Sequence, residues 1–118
     1  MQGGKNLSLE RVLQLLNGFG FSKEEAEVYI YVAKTGAQKS KDIAKGLMIS
    51  PDQLYSILET LQSKGAIISS SSRSRLFSAQ SFNELIKRHI DGSVFTAIAI
   101  RKNKKELIDS WTEITREI

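Results

Sequence analysis

Residues 50–65, Ser-Pro-Asp-Gln-Leu-Tyr-Ser-Ile-Leu-Glu-Thr-Leu-Gln-Ser-Lys-Gly, constrain the fold more than any other stretch of this chain. They define one short helix with fixed ends. Ser50 offers the hydroxyl of a good N-cap, and Pro51 suits the first helical position, where no N–H is needed. Gln53 stands three residues past the cap, the spacing of a capping box. Leu54, Ile57, Leu58 and Leu61 recur at helical spacing and predict one buried face. Gly65 supplies the stop, and Lys64 sits beside the negative end of the helix dipole. The helix carries Asp52 and Glu59 but no basic residue before Lys64.

The punctuation on either side extends this pattern. Leu7, Leu9, Val12, Leu13, Leu15 and Leu16 predict a first helix that ends near Asn17-Gly18. Ser22-Lys23-Glu24-Glu25 is a second capping box. It opens a helix with Ala26, Val28, Tyr29, Ile30, Val32 and Ala33 on its apolar side, stopped at Thr35-Gly36. Ser40 is expected to cap a short third helix, from Lys41 to about Leu47, that buries Ile43, Ala44 and Leu47. Met48-Ile49 is the turn into the helix described above, and two short helices joined tightly form a helix-turn-helix unit. Ala66–Ser69 and Arg75–Ala79 are strand candidates separated by Ser70-Ser71-Ser72-Arg73-Ser74. Helix, strand, basic loop, strand is the layout of a winged helix-turn-helix, in which the helix enters the DNA major groove. The expected fold is mainly α with a small β-wing, the recognition helix at about 51–64 and the wing at about 66–79.

Composition narrows the chemistry. A chain of 118 residues forms one domain with a single core. The absence of Cys excludes disulfide and thiolate chemistry, no apolar run approaches a membrane span, and no signal peptide is visible. These features point to a cytoplasmic protein with no membrane partner. A single histidine, His89, and no paired carboxylates in a cleft-forming context give no support for a metal, a cofactor or an enzyme. The net charge of +4 favours an anionic partner. Its distribution says more than its total: residues 66–90 hold Arg73, Arg75, Lys87 and Arg88 against Glu84 alone. A groove-facing loop has this bias.

The last third reads as a long helix opened by a third capping box, Ser81-Phe82-Asn83-Glu84. A 4-3 spacing then runs through Ile86, Ile90, Ser93, Ala97, Ile100, Lys104, Leu107, Trp111, Ile114 and Ile118, as in a coiled-coil seam. A continuous helix over 82–118 would measure roughly 55 Å and overhang its domain, so a second copy is the simplest cover. The expected interface is Ile90, Val94, Ala97, Ile98, Ile100, Leu107, Trp111 and Ile114. Asp91-Gly92 is a possible break. The run Val94–Ile100 is apolar on nearly every face and also fits a strand, although the 4-3 pattern favours helix. The chain thus divides into residues 1–80, the winged region, and 81–118, the dimerisation region.

Phe19-Gly20-Phe21-Ser22, Glu25-Ala26, Val28-Tyr29, Ile43-Ala44, Leu54-Tyr55, Leu58, Leu61, Lys64-Gly65 and Arg75-Leu76-Phe77-Ser78-Ala79 together resemble the N-terminal domain of the TrmB-like family of archaeal transcriptional regulators. The resemblance covers roughly residues 9–90 and implies a DNA-binding winged helix. Three departures stand beside it. Family members often have Arg or Lys at the start of the recognition helix, where this chain has Pro51, Asp52 and Gln53. Many have a large C-terminal sugar-binding domain, whereas this chain stops at Ile118, which suggests a stand-alone form without an effector domain. The wing is serine-rich, with two arginines.

On a helix lying in the major groove, the exposed early positions Asp52, Gln53, Tyr55 and Ser56, with Glu59 behind them, face the bases. Gln pairs bidentately with adenine, and a carboxylate accepts from cytosine N4. Phosphate contacts fall to Lys39, Ser40 and Lys41 at a helix N-terminus, and to Lys45, Arg73 and Arg75. The expected function is a homodimeric, sequence-specific regulator of transcription that binds double-stranded DNA. Two-fold symmetry would place the half-sites roughly 34 Å apart or a multiple of that. The acidic fourth helix motivates the alternative of a winged helix used for protein–protein contact in transcription or chromatin machinery.

Overall fold

In the computed structural model, the described residues are 3–70, 75–90 and 94–116. The element order is α1 (Gly3–Gly18), α2 (Lys23–Thr35), α3 (Ser40–Leu47), α4 (Pro51–Ser63), β1 (Ile67–Ser69), β2 (Phe77–Ala79), α5 (Phe82–Ile90) and α6 (Val94–Thr115). This is the expected winged helix-turn-helix, mainly helical with one antiparallel β-ribbon. The apolar run at Val94–Ile100 is helical, so its strand reading is set aside.

Local chemistry accounts for most of the helix ends. Ser22 and Glu25 form a complete capping box on α2: the Glu25 N–H donates to Ser22 Oγ and the Ser22 N–H donates to Glu25 Oε1, each at 3.1 Å. The other two boxes are half-formed. Ser50 Oγ accepts from the Gln53 N–H at 3.2 Å, and Ser81 Oγ accepts from the Glu84 N–H at 3.1 Å. Ser81's own N–H donates to Gln80 Oε1, which takes the place expected for Glu84. α3 departs further. Its N-cap is Lys39, whose side chain makes no capping bond, and Ser40 is the first helical residue.

The ribbon pairs Ile67 with Ala79, Ile68 with Ser78 and Ser69 with Phe77. The outer edge of β2 is paired as well, because Gln38 and Phe77 exchange backbone bonds at 3.1 and 2.8 Å. This ties the wing root to the segment between α2 and α3, so the wing is anchored on both sides.

Tyr29 of α2 organises the core. Its buried ring packs edge-on to Phe21 at 6.3 Å and stacks on Trp111 at 5.3 Å. Trp111 stacks in turn on Phe82 at 4.4 Å. The Tyr29 hydroxyl donates to the Gln80 carbonyl at 2.8 Å, which satisfies the one polar atom of a buried ring. Burial pushes its phenol pKa upward, so the hydroxyl remains a donor.

The C-terminal region corrects one expectation. A continuous helix would separate Phe82 and Trp111 by about 43 Å. Their rings are in contact instead, so α6 turns back across α5. It also packs along α1, where Ser8 donates to Glu113 Oε1 at 2.6 Å and Arg11 pairs with Glu106 at 3.7 Å. Leu107, Trp111 and Ile114, expected on an intermolecular seam, therefore join the chain's own core. The 4-3 stripe needs an apolar cover, and over this stretch α1, α2 and α5 provide it. Residues 91–93 lie outside the described residues, as do the side chains of His89, Ile90, Val94, Ala97, Ile98 and Ile100. Lys104, which interrupts the stripe, is exposed.

This packing makes Trp111 a keystone of the single chain. Trp111→Ala is expected to lower the unfolding free energy by about 3 kcal/mol in urea titrations. A change under about 1 kcal/mol would contradict the intramolecular stack.

Candidate nucleic-acid interface

α3 and α4 form the helix-turn-helix, and the same backbone device ends both of them and α1. In each, the residue two past the last carbonyl-bearing turn reaches back in a six-residue loop: Phe21 N–H to Leu16 O, Ile49 N–H to Ala44 O, and Ala66 N–H to Leu61 O, at 3.0, 3.1 and 2.9 Å. The preceding residue adopts a left-handed conformation, with φ 94° at Gly20, 58° at Met48 and 76° at Gly65. Gly20, two residues past the expected Asn17-Gly18 stop, is thus what ends α1. Met48 alone among the described non-glycine residues has positive φ, and it is 90 % exposed.

Burial of Leu54, Leu58 and Leu61 fixes the orientation of α4. With 100° per residue, Asp52, Ser56 and Glu59 form the ridge opposite that stripe, and all three are exposed. Tyr55 lies on one flank and is 57 % exposed, so its ring is not spent on packing. Gln53 lies on the other flank. It lines a cleft of about 60 Å³ with Glu24, Glu27, Leu47, Ile49 and Ile57. The Gln53 amide does not return the capping bond, so it remains available to a ligand. The structure therefore groups Asp52, Ser56 and Glu59, and sets Gln53 and Tyr55 to either side.

The basic residues divide by role. Lys64 makes a clamp inside the protein: Nζ donates to Glu25 Oε1 at 2.6 Å and to the Gly20 carbonyl at 2.7 Å, and lies 5.2 Å from the centre of the Phe21 ring. This fixes the C-terminal end of α4 to the α1–α2 turn. Burial alone would raise the Glu25 pKa, but Lys64 and the Ser22 N–H together hold it below its ordinary value. Lys87 is within 4.0 Å of Glu84, and Arg88 lies over Gly65, where an added Cβ would sit 2.6 Å from the guanidinium. Two of the four cations in residues 66–90 thus belong to α5 and the end of α4, not to the wing. Arg73 lies outside the described residues. Arg75 donates to Ser69 Oγ at 3.3 Å and lies 5.0 Å from the Phe77 ring centre, which holds it at the wing root.

The remaining cations face solvent. Lys39, Lys41 and Lys45 are exposed and form no ion pair among the described residues. Lys39 and Lys41 flank Ser40 at the N-terminus of α3, where no side chain satisfies the first N–H groups. α4 touches both α3 and β1, so these lysines and Arg75 border the ridge. The Lys64–Glu25 clamp was not legible in sequence, because its partners are 39 residues apart and follow no local pattern. The exposed Met48 was likewise missed; a non-glycine residue at the helix stop is its only sequence signal.

The fold and this surface define a winged-helix regulator rather than an enzyme. The sequence profile of the family described as "Sugar-specific transcriptional regulator TrmB" matches residues 15–83, and the chain belongs to that family. Its DNA-binding members regulate transcription. A related protein is the HTH-type sugar sensing transcriptional regulator TrmBL1 of Pyrococcus furiosus, 34% identical over 58 residues. The match takes in 49% of this chain, which spans 17% of the length of that relative. Among solved structures, TrmBL2, an archaeal chromatin protein, superposes with a TM-score of 0.64 at 17% identity, over 89% of this chain and 41% of its own. The MepR regulator of S. aureus, bound to an oligodeoxyribonucleotide, gives 0.53 at 15% identity, over 88% and 75%. These two likenesses establish the fold. Among the described residues, no helix is long and apolar enough to cross a membrane.

The clamp gives a pH signature. A carboxylate whose pKa is depressed by folding adds stability above its unfolded value, 4.5, and loses it as pH falls through the lower folded value. Lys64→Met should cost about 1 kcal/mol at pH 7 and progressively less below pH 5. Thermal unfolding from pH 3 to 7 checks this; a deficit that grows on acidification would refute the clamp.

Proposed function

We propose that this chain is a sequence-specific regulator of transcription that binds double-stranded DNA as a homodimer. α4 enters the major groove, and the wing, residues 66–79, lies along the flanking backbone. The observation that carries this reading is the arrangement of charge: exposed lysines on α3 and Arg75 at the wing root border an α4 ridge that has no cation. Attraction then comes from Lys39, Lys41, Lys45, Arg73 and Arg75, with the open N-terminus of α3 and the Ser40 hydroxyl adding phosphate donors. Base discrimination comes from Asp52, Gln53, Tyr55 and Ser56. Here Gln53 is suited to adenine and Asp52 to cytosine N4. DNA-bound MepR and the DNA-binding mode described for TrmBL2 support the same use of the fold. The chain would act in the cytoplasm.

The homodimer draws on the C-terminal region, residues 81–118. Because Leu107, Trp111 and Ile114 are packed inside the chain, the contact centres on Ile90, Val94, Ala97, Ile98 and Ile100. Light scattering is expected to give about twice 13.2 kDa, and a monomer at micromolar concentration would refute it.

A second reading is favoured by one observation. Asp52 and Glu59 occupy the outward ridge of α4, beside Glu24 and Glu27 at its cleft. That surface would suit a basic protein partner. A salt series separates the two. A DNA binder loses affinity steeply between 50 and 200 mM salt, and Lys41→Ala and Arg75→Ala each lower the slope by about one. No duplex binding at low salt would leave the protein-partner reading in place.

A further inference from the structure

We propose that Met48, in the turn between α3 and α4, is a DNA-contacting residue that inserts an apolar side chain against the groove edge; this rests on the DNA-binding reading above. Three observations converge on it. The first is conformational. Met48 holds φ 58°, ψ 44°, a left-handed conformation that disfavours any side chain with a Cβ. The second is a comparison within the chain. α1 and α4 end with the same pair of backbone bonds, and glycine fills the equivalent position in both. The turn therefore does not require Met; glycine would close it with less strain. The third is burial. A long apolar side chain that is 90 % exposed contributes almost nothing to the core. Neither the turn nor the packing accounts for this residue, and a strained, exposed position beside a binding helix points to a ligand.

Its place in the fold identifies that ligand. Met48 precedes the Ser50 cap of α4 by two residues and follows Lys45 by three. It thus stands between a phosphate-facing lysine and the first base-facing positions. An unbranched thioether there meets the apolar surface of the groove edge, either a thymine methyl or a deoxyribose face. This adds the apolar contact that the polar and acidic ridge of α4 lacks.

Opposite signs in two measurements test the proposal. On a duplex selected from random DNA by the unmodified chain, Met48→Gly should weaken binding about fivefold while raising the melting temperature by about 3 °C. Its salt slope should stay unchanged, since no phosphate contact is lost. Met48→Leu should bind within twofold of the unmodified chain. Replacing thymine by uracil in the duplex identifies the target: a loss that disappears in Met48→Gly marks the methyl, and an unchanged loss in Met48→Gly on uracil DNA marks the sugar. Binding by Met48→Gly equal to that of the unmodified chain overturns the proposal, provided Arg75→Ala still weakens binding. If the unmodified chain binds no duplex, the DNA reading itself has failed.

Discussion

Tyr29 is the constraint on which the arrangement depends. Its ring joins Phe21 at the α1–α2 turn to Trp111 of α6, and through Trp111 reaches Phe82 at the start of α5. Its hydroxyl fixes the Gln80 carbonyl, one residue past β2. A single buried phenol thus sets the wing root, the C-terminal helices and the N-terminal turn relative to α2. A buried hydroxyl without an acceptor is costly, so the Tyr29–Gln80 bond holds the wing at one position rather than several. The Lys64 clamp acts from the other side and holds the far end of α4 to the same turn. α4 is therefore a rigid element on a rigid frame, which suits a helix that reads a fixed groove.

What could be read from the sequence was what depends on near neighbours. Ser22-Lys23-Glu24-Glu25 and Ser50-Pro51 act over three residues, and both caps form. The stripe of Leu54, Leu58 and Leu61 is also local, and it is buried as its spacing requires. Ser40 shows the limit of such reasoning: a good capping residue became the first helical residue because pairing of Gln38 with Phe77 sets where the chain enters α3. The α5–α6 return shows it again. A 4-3 apolar repeat specifies that a face is covered but not by what, and here Tyr29 and Phe82 cover Trp111 within the chain. Long-range charge pairs such as Lys64–Glu25 leave no periodic trace.

The binding surface separates attraction from discrimination. Cations lie on α3 and at the wing root, where they meet backbone charge that is the same for every sequence. The ridge of α4 has hydroxyl, amide and carboxylate groups, which act by donor and acceptor pattern instead of net charge. An acidic reading helix costs affinity against phosphate, and the flanking cations offset that cost. The same acidity disfavours nonspecific binding, since a misplaced ridge gains nothing from the backbone. Members of the TrmB family with basic residues at this position would weigh the two terms differently.

The central claim is that α4 reads DNA while α3 and the wing hold it. Titrating the isotopically labelled chain with a selected duplex and following backbone amide shifts tests it most directly. The account predicts shifts at residues 39–41, 48–56 and 75–76, with those at 52–56 changing when the bases of the site are altered and those at 39–41 indifferent to sequence. Shifts confined to the α1 and α6 surface, with residues 52–56 unmoved, would contradict it.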